Sequence, residues 1–155
     1  MIQRIQTVYL LIVAALFIAL MFLPLAVVIS GGATFSFELI GLISPTQPTE
    51  IAFSTWPLMG LAFIITLISA VSIFLYKKRI LQMRVCVYNT LIIIGFCVLF
   101  GFYLWQMGKS SVMQDMTFTI RIWASFPIIS IILNYLAIRN IGADEALVRS
   151  LERLR

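Results

Sequence analysis

Four apolar runs constrain this chain more than any other feature, because each is long enough to cross the roughly 30 Å hydrocarbon core of a bilayer, which takes about 20 helical residues. They cover residues 6–29 (QTVYLLIVAALFIALMFLPLAVVI), 56–76 (WPLMGLAFIITLISAVSIFLY), 85–107 (VCVYNTLIIIGFCVLFGFYLWQM) and 118–138 (FTIRIWASFPIISIILNYLAI), the last continuing to 141. Soluble domains carry about a quarter of their residues as charges; this chain is 62% hydrophobic and 11% charged, with a mean hydropathy of +1.08. The expected fold is therefore an all-α membrane protein, a four-transmembrane-helix bundle over residues 1–141, in which each helix satisfies its own backbone.

The first run also has features of a secretory signal, with Arg4 before it and Gly31, Gly32 and Ala33 after it. Signal h-regions are about 7–15 residues, shorter than this run, and an intact first helix is the expectation. Lysine and arginine placement then sets orientation. Arg4, Lys77, Lys78, Arg79, Arg84, Arg139, Arg149, Arg153 and Arg155 fall on one side of the runs, and only Lys109 and Arg121 on the other. Both termini are expected in the cytoplasm, and four crossings require both ends on one side. The net charge of +5 reads as attraction to anionic lipid headgroups rather than nucleic acid, since the basic residues edge apolar runs instead of lining a soluble face.

The segment 30–55 becomes an extracytoplasmic loop. Within it Phe35, Phe37 and Leu39 alternate with Ser36 and Glu38, the period of a half-buried strand, and TEIAFST can pair back after a turn at Pro45 to Pro48. A small β-hairpin between helices 1 and 2 is expected, either as a cap on the bundle or as a docking edge for a partner.

Absences exclude several chemistries. The chain has no histidine, which removes bis-histidine haem, histidine-ligated metals and a Ser/His hydrolase. Its six carboxylates, Glu38, Glu50, Asp115, Asp144, Glu145 and Glu152, all lie outside the apolar runs, unlike the intramembrane acids of proton-coupled carriers. Cys86 and Cys97 sit about 16 Å apart on one helix, too far to bridge. No cofactor, no metal and no enzymatic activity are expected.

The polar content of the helices is mild. Asn89 and Asn134 fall at similar depth in the third and fourth helices, where amides hydrogen-bond across an interface or contact a polar substrate. Small-residue stripes (Ala15 with Ala19; Ala62, Thr66 and Ala70; Cys97 with Gly101) suit close helix packing. Pro24 and Pro127 are expected to kink their helices. Arg121 is read as lying inside the fourth helix, a turn from its outer end, either snorkelling or pairing with Asp115, Glu38 or Glu50, or else holding an anion or lipid headgroup. Lys77, Lys78 and Arg79 are further candidates for anion or lipid contact, and Trp56, Trp105 and Trp123 mark the outer interface.

Residues 142–155 differ from the rest. Gly142 is expected to break the fourth helix where it leaves the membrane. Beyond it a cytoplasmic amphipathic helix places Asp144 and Glu145 first and Arg149, Arg153 and Arg155 last, as a helix dipole favours. Ala143, Leu147, Leu151 and Leu154 form its apolar stripe, and Glu145 can pair with Arg149. So short a helix is marginal alone; it rests on the membrane surface, on the chain's own basic loop, or on another protein.

The opening MIQRIQTVYLL, the following FLPLA and the closing LAIRNIGADEALVRSLERLR resemble an uncharacterised four-helix inner-membrane family of Bacteroidota, a domain of unknown function. The likeness covers essentially the whole chain. It implies the same topology, with both ends cytoplasmic, and carries no activity or catalytic residue. The functional expectation is a non-enzymatic accessory or scaffolding subunit working through its tail and basic loop, with a membrane or cytoplasmic protein or anionic lipid as partner. The alternative is a small-molecule or lipid transporter acting as an oligomer, with Asn89, Asn134 and Arg121 along its path.

Overall fold

A computed structural model describes residues 3–30, 33–43, 51–109 and 117–152. The chain is mostly helical, with a small antiparallel sheet. Helix α1 (Gln3–Leu20) leads to strands β1 (Ala26–Ser30), β2 (Ala33–Phe37), β3 (Gly41–Ile43) and β4 (Ile51–Ser54). Helix α2 (Trp56–Phe74) passes through a 3-10 turn (Leu75–Lys77) into α3 (Arg79–Lys109), and strand β5 (Thr117–Ile120) and a second 3-10 turn (Ile122–Ser125) precede α4 (Phe126–Glu152).

Inward positions recur at alternating spacings of three and four, the pattern of an antiparallel bundle with a slight left-handed twist. They are Gln6, Leu10, Val13, Phe17 and Leu20 on α1; Leu58, Ala62, Ile65, Ser69 and Ser72 on α2; Gln82, Cys86, Asn89, Ile93 and Phe96 on α3; and Pro127, Ser130, Asn134, Ala137 and Ile141 on α4. Each helix packs on its sequence neighbours and α1 closes the ring against α4. Across the middle, Phe17 and Phe96 meet edge to face with centroids 5.6 Å apart. Outward positions are also apolar, with Phe63 60%, Val98 67% and Ile128 58% exposed. Three helices, within Trp56–Phe74, Ile80–Lys109 and Ile122–Val148, are long and apolar enough to cross a membrane, and α1 is a shorter apolar helix.

Several expected boundaries move. The first helix stops at Leu20 rather than at 29. Pro24 disfavours helix at the residue before it, and the β-branched Val27, Val28 and Ile29 then suit a strand. Residues 118–125 are not α-helix either: Thr117–Ile120 is strand, Ile122–Ser125 is a 3-10 turn leading into α4, and Pro127 sits in the first turn of α4, where its missing N–H costs nothing, so neither proline kinks a helix. Helix α3 begins at Arg79, six residues before its apolar run, because hydropathy marks the greasy part of a helix rather than its hydrogen bonding. Gly142 lies inside α4 and breaks nothing.

The hairpin expected in the 30–55 loop is part of a five-stranded sheet in the order β4-β3-β2-β1-β5. Strand β2 pairs with β1 and β3 rather than with the TEIAFST strand, which becomes β4 on β3. The turn expected at Pro45 to Pro48 lies outside the described residues. Strand β5, from the α3–α4 connection, pairs with β1 (Val27 opposite Thr119, Val28 opposite Phe118). Two flanking bonds extend the ladders, Leu25 N–H to the Phe37 carbonyl at 2.9 Å and Arg121 N–H to the Leu25 carbonyl at 3.0 Å.

The sheet lies over the end of the bundle where α1 and α3 finish and α2 and α4 begin. Val28, Phe37, Leu39 and Leu42 are buried in the same core as Phe17 and Phe96, and the Phe37 ring meets Phe100 of α3 at a tilt of 57° with centroids 5.7 Å apart. Thr55 fastens sheet to helix: its N–H donates to the Ile40 carbonyl at 3.0 Å, and its hydroxyl lies 3.2 Å from the Leu39 and 3.3 Å from the Glu38 carbonyl. Thr55→Val keeps the shape and removes the hydroxyl donor from a buried site. The expected loss is about 1–2 kcal/mol in detergent unfolding, and an unchanged midpoint would show that the hydroxyl fastens nothing.

Candidate functional site

Two parts of the bundle gather the residues that composition singled out. The first is the end opposite the sheet, where α1 starts, α2 turns into α3 and α4 finishes. Position along the chain brings Arg4, Lys77, Lys78, Arg79, Arg84, Arg139 and Arg149 to this end, while Lys109 and Arg121 sit at the sheet end.

Helix α4 leaves this basic end as one uninterrupted rod. Gly142 packs towards α3, where an added Cβ would meet the Met83 methyl at 3.7 Å. The roughly 1 kcal/mol that glycine costs inside a helix is outweighed by tertiary burial beside it, with Ile141 packed among Leu10, Cys86 and Ala137. One turn on, the Gln6 side-chain amide donates to Asp144 at 3.4 Å, a long bond that still sets the start of α1 beside this part of α4.

Beyond Asp144, α4 runs through eight more residues to Glu152, about 12 Å of helix. Of the candidate tail residues, Glu145 is half-buried and Leu147 is exposed, as is Ala143 of the same stripe. Arg149 and Leu151 fall on α4 by their backbone, and Arg153 and Leu154 lie outside the described residues.

The second part is a buried polar layer in the bundle interior. Asn89 and Asn134 are both fully buried. The antiparallel register that sets Phe96 near Pro127, and Cys86 beside Ala137, brings them to one height of the α3–α4 interface. The amide pair expected between them is not made. Asn89 instead donates to the Ser69 hydroxyl of α2 at 2.9 Å. The Asn89 carbonyl oxygen, both polar atoms of the Asn134 amide and the Ser130 hydroxyl have no hydrogen-bond partner among the described residues. Buried polar groups are seldom left so, and each costs about 1–3 kcal/mol.

Ser69, Ser72, Gln82 and Ser130 were not among the candidates, although all are buried. The signal that finds them is a polar residue every third or fourth position through an apolar run, with lipid-compatible residues between.

Arg121 is not within a helix. Its backbone is extended (φ −81°, ψ 155°) between β5 and the 3-10 turn, and its side chain is exposed. At the same end Lys109 lies over the Trp105 ring at 3.9 Å and Trp123 packs edge-on against Phe126. At Gly101, in the expected close-approach stripe with Cys97, no described residue lies within 4 Å of an added Cβ.

Among curated proteins no match was found. A family model does match the chain over residues 2–154, from before α1 to beyond the last described turn of α4, so the protein belongs to the family described as Domain of unknown function (DUF4293).

Proposed function

We propose that this protein is a four-crossing integral protein of a bacterial inner membrane, with both termini cytoplasmic, and that it serves as a non-enzymatic accessory subunit whose projecting α4 and basic loop engage a partner protein beside anionic lipid. Its side chains are arranged inside out, with asparagine, serine and glutamine buried and Phe63, Val98 and Tyr135 facing outward; a soluble monomer rarely exposes so much apolar surface. Helix α1 spans about 27 Å, short but adequate for a fourth crossing, and its pairing with Asp144 keeps the two chain ends together. The basic residues at that same end are those the positive-inside rule assigns to the cytoplasm.

The observation that carries the reading is the unbroken α4. A helix that leaves a bundle without a hinge holds its end residues at a fixed distance and direction, which suits recognition by a protein surface. The test is a pull-down from gently solubilised native membranes, comparing the intact protein with one ending at Ala146, which keeps the Gly142 packing and the Asp144 bond. A defined partner lost on truncation is the expected result; identical captures from both would end the proposal.

The buried polar layer supports a second reading, passage of a small solute through an oligomer of the bundle. Solute flux into liposomes that depends on Asn89, Asn134 and Ser130 would favour it, and absence of flux would remove it.

A further inference from the structure

We propose that a groove between α3 and the start of α4 binds one anionic phospholipid, with an acyl chain along its floor and the phosphate on Arg121. The inference rests on the membrane reading above and names a ligand for a surface that reading leaves unassigned. The groove has a volume of about 420 Å³ and is walled by Phe96, Cys97 and Phe100 of α3, by Ile122 and Ala124 of the 3-10 turn, and by Ile128 of α4. That is within the range of small-ligand sites, about 300–1,000 Å³.

Among the described residues its polar side chains are Arg121, Ser125 and the weakly polar thiol of Cys97, and the Ser125 hydroxyl already donates to the Ile122 carbonyl at 2.6 Å. The walls therefore suit a hydrocarbon chain and offer a polar solute little. Arg121 then supplies the only charge in the lining among the described residues, and its backbone is pinned by the bond to Leu25. Arginine's planar fork suits phosphate oxygens. The depth also fits, because Arg121 lies at the end marked by Trp56, Trp105 and Trp123, where headgroups meet hydrocarbon.

A partner helix is a poor occupant. Helix-in-groove recognition uses anchors at i, i+3 or i+4, and i+7, over about 10 Å, whereas the α3 wall from Phe96 to Phe100 is about one turn, roughly 6 Å. On the lipid-facing side of a membrane protein such a concavity is filled from the bilayer itself.

Native mass spectrometry of the detergent-purified full chain tests this, with dioleoyl phosphatidylglycerol and dioleoyl phosphatidylcholine as probes. One phosphatidylglycerol should be retained in preference to phosphatidylcholine. Arg121→Ala should lower that preference about tenfold, the scale of one charge-assisted contact. Ala124→Trp, which fills the groove, should abolish tight retention of either lipid, and Phe63→Ala, on the outward face of α2 and outside the groove lining, should change nothing. Equal retention of the two lipids, or a preference indifferent to Arg121→Ala, would overturn the proposal. So would equally tight binding of dihexanoyl phosphatidylglycerol, which would leave the groove without a role. Recovery of the protein in the soluble fraction without detergent would instead refute the membrane reading, so the two failures are distinguishable.

Discussion

Alanine at Phe96 is expected to lower the stability of the bundle by about 3–5 kcal/mol. The ring is fully buried and meets Phe17 edge to face, so truncation loses both the transfer energy of the side chain and the contacts of its neighbours. The site is poorly placed to collapse, since Phe17 approaches from α1 across the bundle and the ring belongs to the same buried core as Leu58, Ile65 and Ile93. Unfolding in mixed micelles gives the comparison. A double-mutant cycle with Phe17→Ala should return a coupling of about 0.5–1.5 kcal/mol, the usual range for an edge-to-face pair. A loss under about 1 kcal/mol for Phe96→Ala would mean that the four helices do not close on this ring.

Leucine at Asn134 should act in the opposite direction. The amide is fully buried and neither of its polar atoms has a partner among the described residues, so an apolar side chain of similar size removes an uncompensated cost and should stabilise by about 1–3 kcal/mol. Asn89→Leu should do less or reverse sign, because it would also strip the Ser69 hydroxyl of its donor. If Asn134→Leu is clearly destabilising instead, the amide is holding something other than protein, and the balance moves from accessory subunit towards solute passage.

The helical middles were legible because hydrocarbon-length apolar runs leave few other folds. Which face of each helix points inward was not, since Leu11 and Leu10 are equally apolar while only Leu10 is buried. The clue lay in the polar residues, whose spacing of three and four marks the interior of an inverted core.

Strand β1 was hidden for a different reason. AVVIS continues an apolar run without a change in hydropathy, and its partner β5 lies beyond α3 in the chain, out of reach of any local periodicity. Arg121 was placed in a helix because FTIRI reads as apolar, although Thr117, Thr119 and Ile120 favour a strand. Gly142 was read as a stop because glycine usually ends helices, whereas here the helix runs on between the buried Ile141 and the Gln6 to Asp144 bond.

The ladder from β1 to β5 has a mechanical meaning. It stitches the connection after α1 to the connection before α4, so the two helical hairpins are clasped together at the sheet end. The bundle resembles a clothes-peg: at the basic end α2 and α3 stay joined through the turn at Leu75–Lys77, so only α1 and α4 are free to part there, held by their packing and the Gln6 to Asp144 bond. A carrier that opens alternately to both faces would have to tear that ladder in every cycle. A protein that yields at one end, with α4 as the lever a partner grasps, would not.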